Sequence, residues 1–345
     1  MNKIFILAIA SLSILTSCKK DTNNSNNSTS TDINYNAAYV VNGSSNSISV
    51  IDLSSNTVKR TINLTGASYP HHVCISPDNS KIIVGVPGMD LSNGHSNIMT
   101  GMSGMFVVLD ATSGNTLKTM NLPMMNHNAI YSPNGTEIWT AQMDSMGKVL
   151  VYDASNYTLK NTIDVGMMPL EVTFSKDGSM AFVCNSIDST VSAIDVNSKS
   201  VMATIPVDAE PVGAWQGADN KMYVDCEEGQ TVSVIDVNTM TVVETISLGF
   251  MPGMAQLQNT VRELWVTDPM AGKVHWWTWD ASMNMWMEAG NLATGAGAHA
   301  IAFNGNTAYI TNQTAGTVSV VNVSTHTVTS TISVGSKPNG IVLKL

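Results

Sequence analysis

A seven-bladed, all-β propeller is the fold this sequence predicts, and three observations predict it. One pattern recurs roughly every 40–45 residues from about Tyr39 to Leu345, a period expected of propeller blades. Each copy reads as four short strands rich in Val, Ile and Thr, punctuated by Gly, Asn and Asp turns. The chain joins the pattern at its second strand and leaves it after a lone first strand. The C-terminal strand is therefore expected to pair with the first B, C and D strands and close the ring.

In chain order, residues 1–17 read as a signal peptide. Lys3 gives the positive start, and Ile4 to Leu15 is apolar but too short to span a bilayer. Leu15-Thr16-Ser17-Cys18 resembles the lipobox of bacterial lipoproteins. That resemblance implies cleavage before Cys18, a lipid on Cys18, a membrane contact through that lipid, and a place in the cell envelope. Residues 18–36 are polar and nearly free of apolar side chains, so they are expected to form a tether rather than a core. The propeller is expected over 37–345.

Four strands per blade, lettered A to D from the channel outward, can be marked by their punctuation. Inner strands follow a short lead-in: Pro70 to Val73, Asn126 to Ala129, Pro169 to Val172, Pro211 to Ala214, Pro252 to Ala255, Ala298 to Ile301, and Pro338 to Ile341. Second strands end near Asn42, Val86, Gln142, Asn185, Cys226, Asp268 and Asn312. Third strands end in Asp52, Asp110, Asp153, Asp195, Asp236, Asp280 and Asn322, residues whose side chains can bond the backbone of a hairpin turn. Outer strands such as Thr57 to Ile62 and Thr241 to Ile246 are β-branched.

Tyr39-Val40-Val41-Asn42 and Tyr309-Ile310-Thr311-Asn312 approach a Tyr-Val-Thr-Asn repeat, with variants at Phe182 to Asn185 and Trp265 to Asp268. Ser76-Pro77-Asp78 and Ser132-Pro133-Asn134 mark the turn after the inner strand. On these residues the domain resembles the YVTN family of seven-bladed β-propeller repeat proteins. The resemblance implies the fold and brings no catalytic motif, so function has to be read from the faces of the ring.

The net formal charge is −10 and only 12% of residues are charged, without a basic cluster. Nucleic acid is therefore not an expected partner. After Cys18 three cysteines remain. Cys74 reads as core, while Cys184 and Cys226 sit near the top ends of neighbouring strands, where pairing, soft-metal ligation and plain burial all stay open.

The D–A and B–C loops share one face, here the top. Of seven histidines, five fall there: His71, His72, His95, His127 and His299. His71, His127 and His299 occupy one repeat position, one residue into the lead-in, which opens on the central channel. The chain also holds 22 methionines, and many crowd the same loops. The long insertion at 87–105 brings His95 with Met99, Met102 and Met105, a spacing like that of methionine-rich motifs in exported copper-handling proteins. Met124 and Met125 precede His127.

Imidazole with thioether is a donor set suited to Cu(I) rather than to Mg or Ca. The expected role is thus copper storage, delivery or sensing on the top face, with envelope copper proteins as partners. Methionine also fills irregular gaps and lines promiscuous binding surfaces, so a non-catalytic scaffold is the alternative. A further alternative is a lactonase-like hydrolase, with Glu171 and the amides of Asn128 and Asn339 around a divalent ion. Phosphate-loop, nucleophile-elbow and metalloprotease motifs are missing from the sequence. Trp276, Trp277, Trp279 and Trp286 gather in the outer strands of one blade, as a partner surface or as packing.

Overall fold

The structure, a computed structural model, describes Met1, residues 32–92 and residues 101–345. The expected signal peptide, Cys18 and most of the tether lie outside the described residues, as do His95 and Met99. The chain divides into a unit at 1–31 and a unit at 32–345, and the ring is the second.

Among the described residues there are 28 strands, paired as seven antiparallel four-stranded sheets. No helix there is long and apolar enough to cross a membrane. Numbered from the first complete blade, blades one to six span 73–121, 130–164, 169–206, 211–247, 255–293 and 298–333. Blade seven combines 37–63 with 338–344.

Strand ends fall where the turn chemistry puts them. All seven second strands and all seven third strands end at the residues expected from sequence. At the hairpin after the third strand, Asp52 Oδ1 accepts from the Ser54 amide at 2.8 Å and Asp153 Oδ1 from the Ser155 amide at 2.9 Å. A residue in the left-handed region then reverses the chain, as at Asn56 (φ 52°), Tyr157 (φ 62°) and Lys199 (φ 60°). These bonds hold the carboxyls of Asp52, Asp153 and Asp195 below the usual range.

The asparagine at the end of the second strand has a structural task. Asn42 Nδ2 donates to Ser49 Oγ at 3.0 Å, and Asn185 Nδ2 and Asn312 Nδ2 make the matching bonds to Ser192 and Ser319. It fastens the second strand to the third at the top of the blade.

Three inner strands are shorter than their lead-ins imply, starting at Val73, Ile130 and Ala255. In blade two the hydroxyl of Thr140 takes over from a ladder amide and donates to the Asn128 carbonyl at 2.6 Å. The first two of these stretches carry His71, His72 and His127, while His299 lies within strand Ala298–Asn304.

Closure occurs as expected. Strand Pro338–Lys344 pairs antiparallel with Ala37–Asn42, Tyr39 opposite Val342 and Ala37 opposite Lys344. The packed body begins earlier than residue 37. Ile33, expected in the tether, is 0% exposed, and its amide donates to the Thr112 carbonyl at 2.8 Å. Core residues interleave between blades, as where Tyr39 and Val41 of blade seven pack with Ile82 and Val84 of blade one.

The closing strand also presses on the mouth. Gly340 N donates to the His71 carbonyl at 2.9 Å. A Cβ at Gly340 would stand 2.9 Å from both that oxygen and the Cα of His72. Asn339 adds a bond to the Pro70 carbonyl at 3.1 Å and accepts from Gln313 Nε2 at 2.8 Å, tying blades six, seven and one together. Gly340→Ala is expected to lower stability by about 1–3 kcal/mol through overpacking, measured by urea unfolding against wild type.

Candidate metal centre at the channel mouth

Each lead-in turns sharply before its inner strand. The preceding residue lies in the left-handed region in five blades: Tyr69, Met168, Glu210, Gly297 and Lys337. The turn aims the next side chains across the ring, so repeat positions far apart in sequence meet at the axis.

His71, His72 and His127 each bring one ring nitrogen to within 4.8 Å of the others. Their ring centroids are 4.4 Å (71 to 127), 4.6 Å (71 to 72) and 4.9 Å (72 to 127) apart. His299 stands next to them, 5.6 Å from His71 and 6.0 Å from His72. His71 is 2% exposed and His127 1%, while His72 and His299 are half-buried. Ligands of a tetrahedral ion with bonds of about 2.0–2.1 Å lie roughly 3.4 Å apart, so small ring rotations would bring three imidazoles into range.

Glu171 sits inside this group. Its Oε1 lies 3.0 Å from His72 Nε2 and 3.1 Å from His127 Nδ1, and the residue is 2% exposed. Asn128 Nδ2 donates to Oε2 at 3.4 Å. Asn339, expected beside it, instead bonds Pro70 and Gln313.

Two further members were not visible as site residues in the sequence. Asp225, 1% exposed, accepts from Trp215 Nε1 at 2.5 Å and from the Gly213 amide at 3.2 Å. The indole of Trp215 lies flat over Gly213, where a Cβ would come within 2.7 Å of the ring. Its centroid is 6.3 Å from that of His72, so it forms one wall of the centre. The signal was a missing side chain: Gly213 occupies the repeat position that elsewhere holds His72, Asn128 or Glu171.

Burial, then the charge of Glu171, pushes the Asp225 carboxyl well above the usual carboxylate range, against the opposing pull of its two hydrogen bonds. No lysine or arginine among the described residues pairs with Glu171 or Asp225. Glu171 thus lies buried against imidazoles, and Asp225 against an indole and a backbone amide.

The methionines divide. Met125, Met143 and Met168 are buried with Leu91, Leu170 and Val212 in an apolar cap on the top face, with Met89 and Met102 packed against it. Met105 packs in the core between blades seven and one. Met124 is half-buried, and its amide donates to Gln142 Oε1 at 3.1 Å. Cys74, Cys184 and Cys226 are all free. Burial pushes the Cys226 thiol up to about 12 and Cys184 well up, with Asp225 adding to both, so neither offers a thiolate at neutral pH.

The remaining histidines lie elsewhere. His326 stacks on Trp276 at 3.9 Å and faces Glu263, and His275 faces Glu288 at 2.8 Å. Of the outer tryptophans, Trp277 and Trp286 are buried and Trp279 is exposed.

No family model and no curated sequence matches the chain. Solved structures match its fold. A functionally unknown protein from Desulfotomaculum acetoxidans superposes with a TM-score of 0.71 at 13% identity, over 89% of this chain and 98% of that one. The periplasmic gluconolactonase PpgL of Pseudomonas aeruginosa gives 0.69 at 16% identity, over 90% and 99%. The dihydro-heme d1 dehydrogenase NirN, in complex with DHE, gives 0.63 at 12% identity, over 89% and 75%. At these identities the likeness establishes the propeller scaffold alone.

The raised carboxyl of Asp225 has a pH signature. Below about pH 4 the group is protonated in folded and unfolded chains alike, and its burial carries no charge penalty. As pH rises, the unfolded chain ionises first, so the folded state loses relative stability until the folded group also ionises. Metal-free Asp225→Asn is therefore expected to gain on wild type between pH 4 and 7, read from urea unfolding at both values. A gap that does not change with pH would contradict this charge assignment.

Proposed function

We propose that this protein is an exported, lipid-anchored propeller of the YVTN type that binds one divalent late first-row transition metal at its top mouth. His71, His72 and His127 supply the imidazoles, Glu171 orients two of them or joins as a fourth ligand, and His299 stands in reserve. The observation that carries the reading is the convergence of three imidazole nitrogens within 4.8 Å around a buried carboxylate. Imidazole suits copper, zinc, nickel and iron, and Cu(II) heads the affinity order among divalent ions.

The charge balance favours a dication over Cu(I). Glu171 is buried against imidazoles without a lysine or arginine partner, and an uncompensated buried carboxylate is costly. A bound divalent ion would supply the missing positive charge. The thioether part of the copper expectation finds less support, because Met125 and Met102 belong to the apolar cap. The role proposed for this single site is metal carriage in the envelope. A lactonase-like hydrolase is carried less well, since Asn339 bonds Pro70 and Gln313 rather than Glu171.

Titration of the metal-free soluble domain with Cu(II) and Zn(II), followed by calorimetry, is expected to give one site per chain. His71→Ala with His127→Ala should abolish it. Glu171→Gln should weaken it about 10–100-fold, the range for residues that orient ligands. Wild type that retains neither ion would defeat the reading, and tight binding of Cu(I) alone would return the site to the methionines. For the anchor, Cys18→Ser is expected to move the protein from the membrane fraction to the soluble envelope fraction of cells that make it.

A further inference from the structure

Below the metal centre, on the side of blades five, six and seven, the channel is hollow. A cavity of about 500 Å³ opens on the bottom face between their inner strands. Its walls are Trp215, Met254, Leu257, Ile301, Phe303 and Ile341, with amides at the rim. The asymmetry begins in the lead-ins. Blades one to three put His72, Asn128 and Glu171 on the axis, whereas blades six and seven put Ala300 and Gly340 at the same position.

The lining chemistry specifies an occupant. No side chain among the lining residues is charged, so no side chain there offers an ion pair to a ligand. Trp215 and Phe303 offer aromatic surface, and the indole is fixed by its bond to Asp225 and its bed on Gly213. Most rim amides are already engaged: Gln258 Nε2 donates to the Gly305 carbonyl at 2.8 Å, and Asn259 Oδ1 accepts from the Ala218 amide at 3.0 Å. The carboxamide of Gln256 has no hydrogen-bond partner among the described residues, although the residue is half-buried and lines the cavity. The volume lies within the range of small-molecule sites, and the combination of apolar walls with a few unspent polar groups is their usual design.

We propose that this cavity binds an uncharged, ring-bearing small molecule, its rings against Trp215 and Phe303 and one polar group on the Gln256 amide. The site does not depend on the metal. It shares the Trp215 wall with the metal centre, so the two lie back to back along the axis.

The test uses N-phenyl-1-naphthylamine, a neutral aromatic probe with one N–H, added to the full soluble domain in excess chelator. Saturable one-to-one binding with enhanced probe emission is expected, unchanged when chelator is replaced by Zn(II). Ala302→Trp, which fills the cavity, should weaken binding at least tenfold, and Gln256→Ala about fivefold. Trp215→Phe should remove most of the tryptophan-sensitised probe emission. If Ala302→Trp does not fold, the other two variants decide. Absence of saturable binding, or equal binding by wild type and the folded variants, would overturn the proposal. The latter result would assign the probe to exposed apolar surface such as Trp279 and Met285. Failure of the metal titration would leave this result unaffected, and the reverse holds too.

Discussion

The pairing of strand Pro338–Lys344 with strand Ala37–Asn42 is the constraint on which the rest of the molecule depends. Six blades are each assembled from contiguous chain, and only the seventh joins the two ends. Without that pairing blade seven lacks its inner strand, and the cores it shares with blades one and six are open. The same strand carries Asn339 and Gly340, whose bonds reach Pro70 and His71. Closure and the shape of the mouth are therefore one event, not two.

Physical logic at the mouth follows from who is missing. Imidazoles and carboxylates gather there, and among the described residues no lysine or arginine pairs with Glu171 or Asp225, although the chain holds 16 such residues. Cations are paired elsewhere, as at Glu137 with Lys160 and Lys199 on the bottom of blades two and three, and at Asp90 with Lys337. An apolar methionine cap above and an indole wall beside the centre lower the local dielectric, which strengthens every charge interaction inside it.

Much of the fold was legible because it is local. Asp52 and Asp153 end their strands by bonding an amide two residues on, and such short-range chemistry is written directly in the chain. His71 and His127 at one repeat position, and His72 and Glu171 at the next, were legible for a different reason: the repeat puts each pair in register, and symmetry turns register into proximity. What stayed hidden depends on contacts between strands. Asp225 reaches the axis because Gly213 leaves room for Trp215 to fold back, a three-residue arrangement with no linear signature. Asn339 looked like a partner of Glu171 by position, yet the carbonyl of Pro70 and the amide of Gln313 lie nearer and claim it. The methionines looked alike in sequence, and only burial separates Met125 in the cap from Met105 in the blade core.

Gly340 leaning on His71 and His72 makes the mouth a late product of folding. The glycine and the two imidazoles are far apart in sequence, and contacts of such long separation form slowly because the loop between them must first be closed. Each contiguous blade can pair its own strands locally, whereas the brace on His71 and His72 exists only once strand Pro338–Lys344 has docked. The geometry of the mouth is thus a readout of the completed ring and not of any single blade.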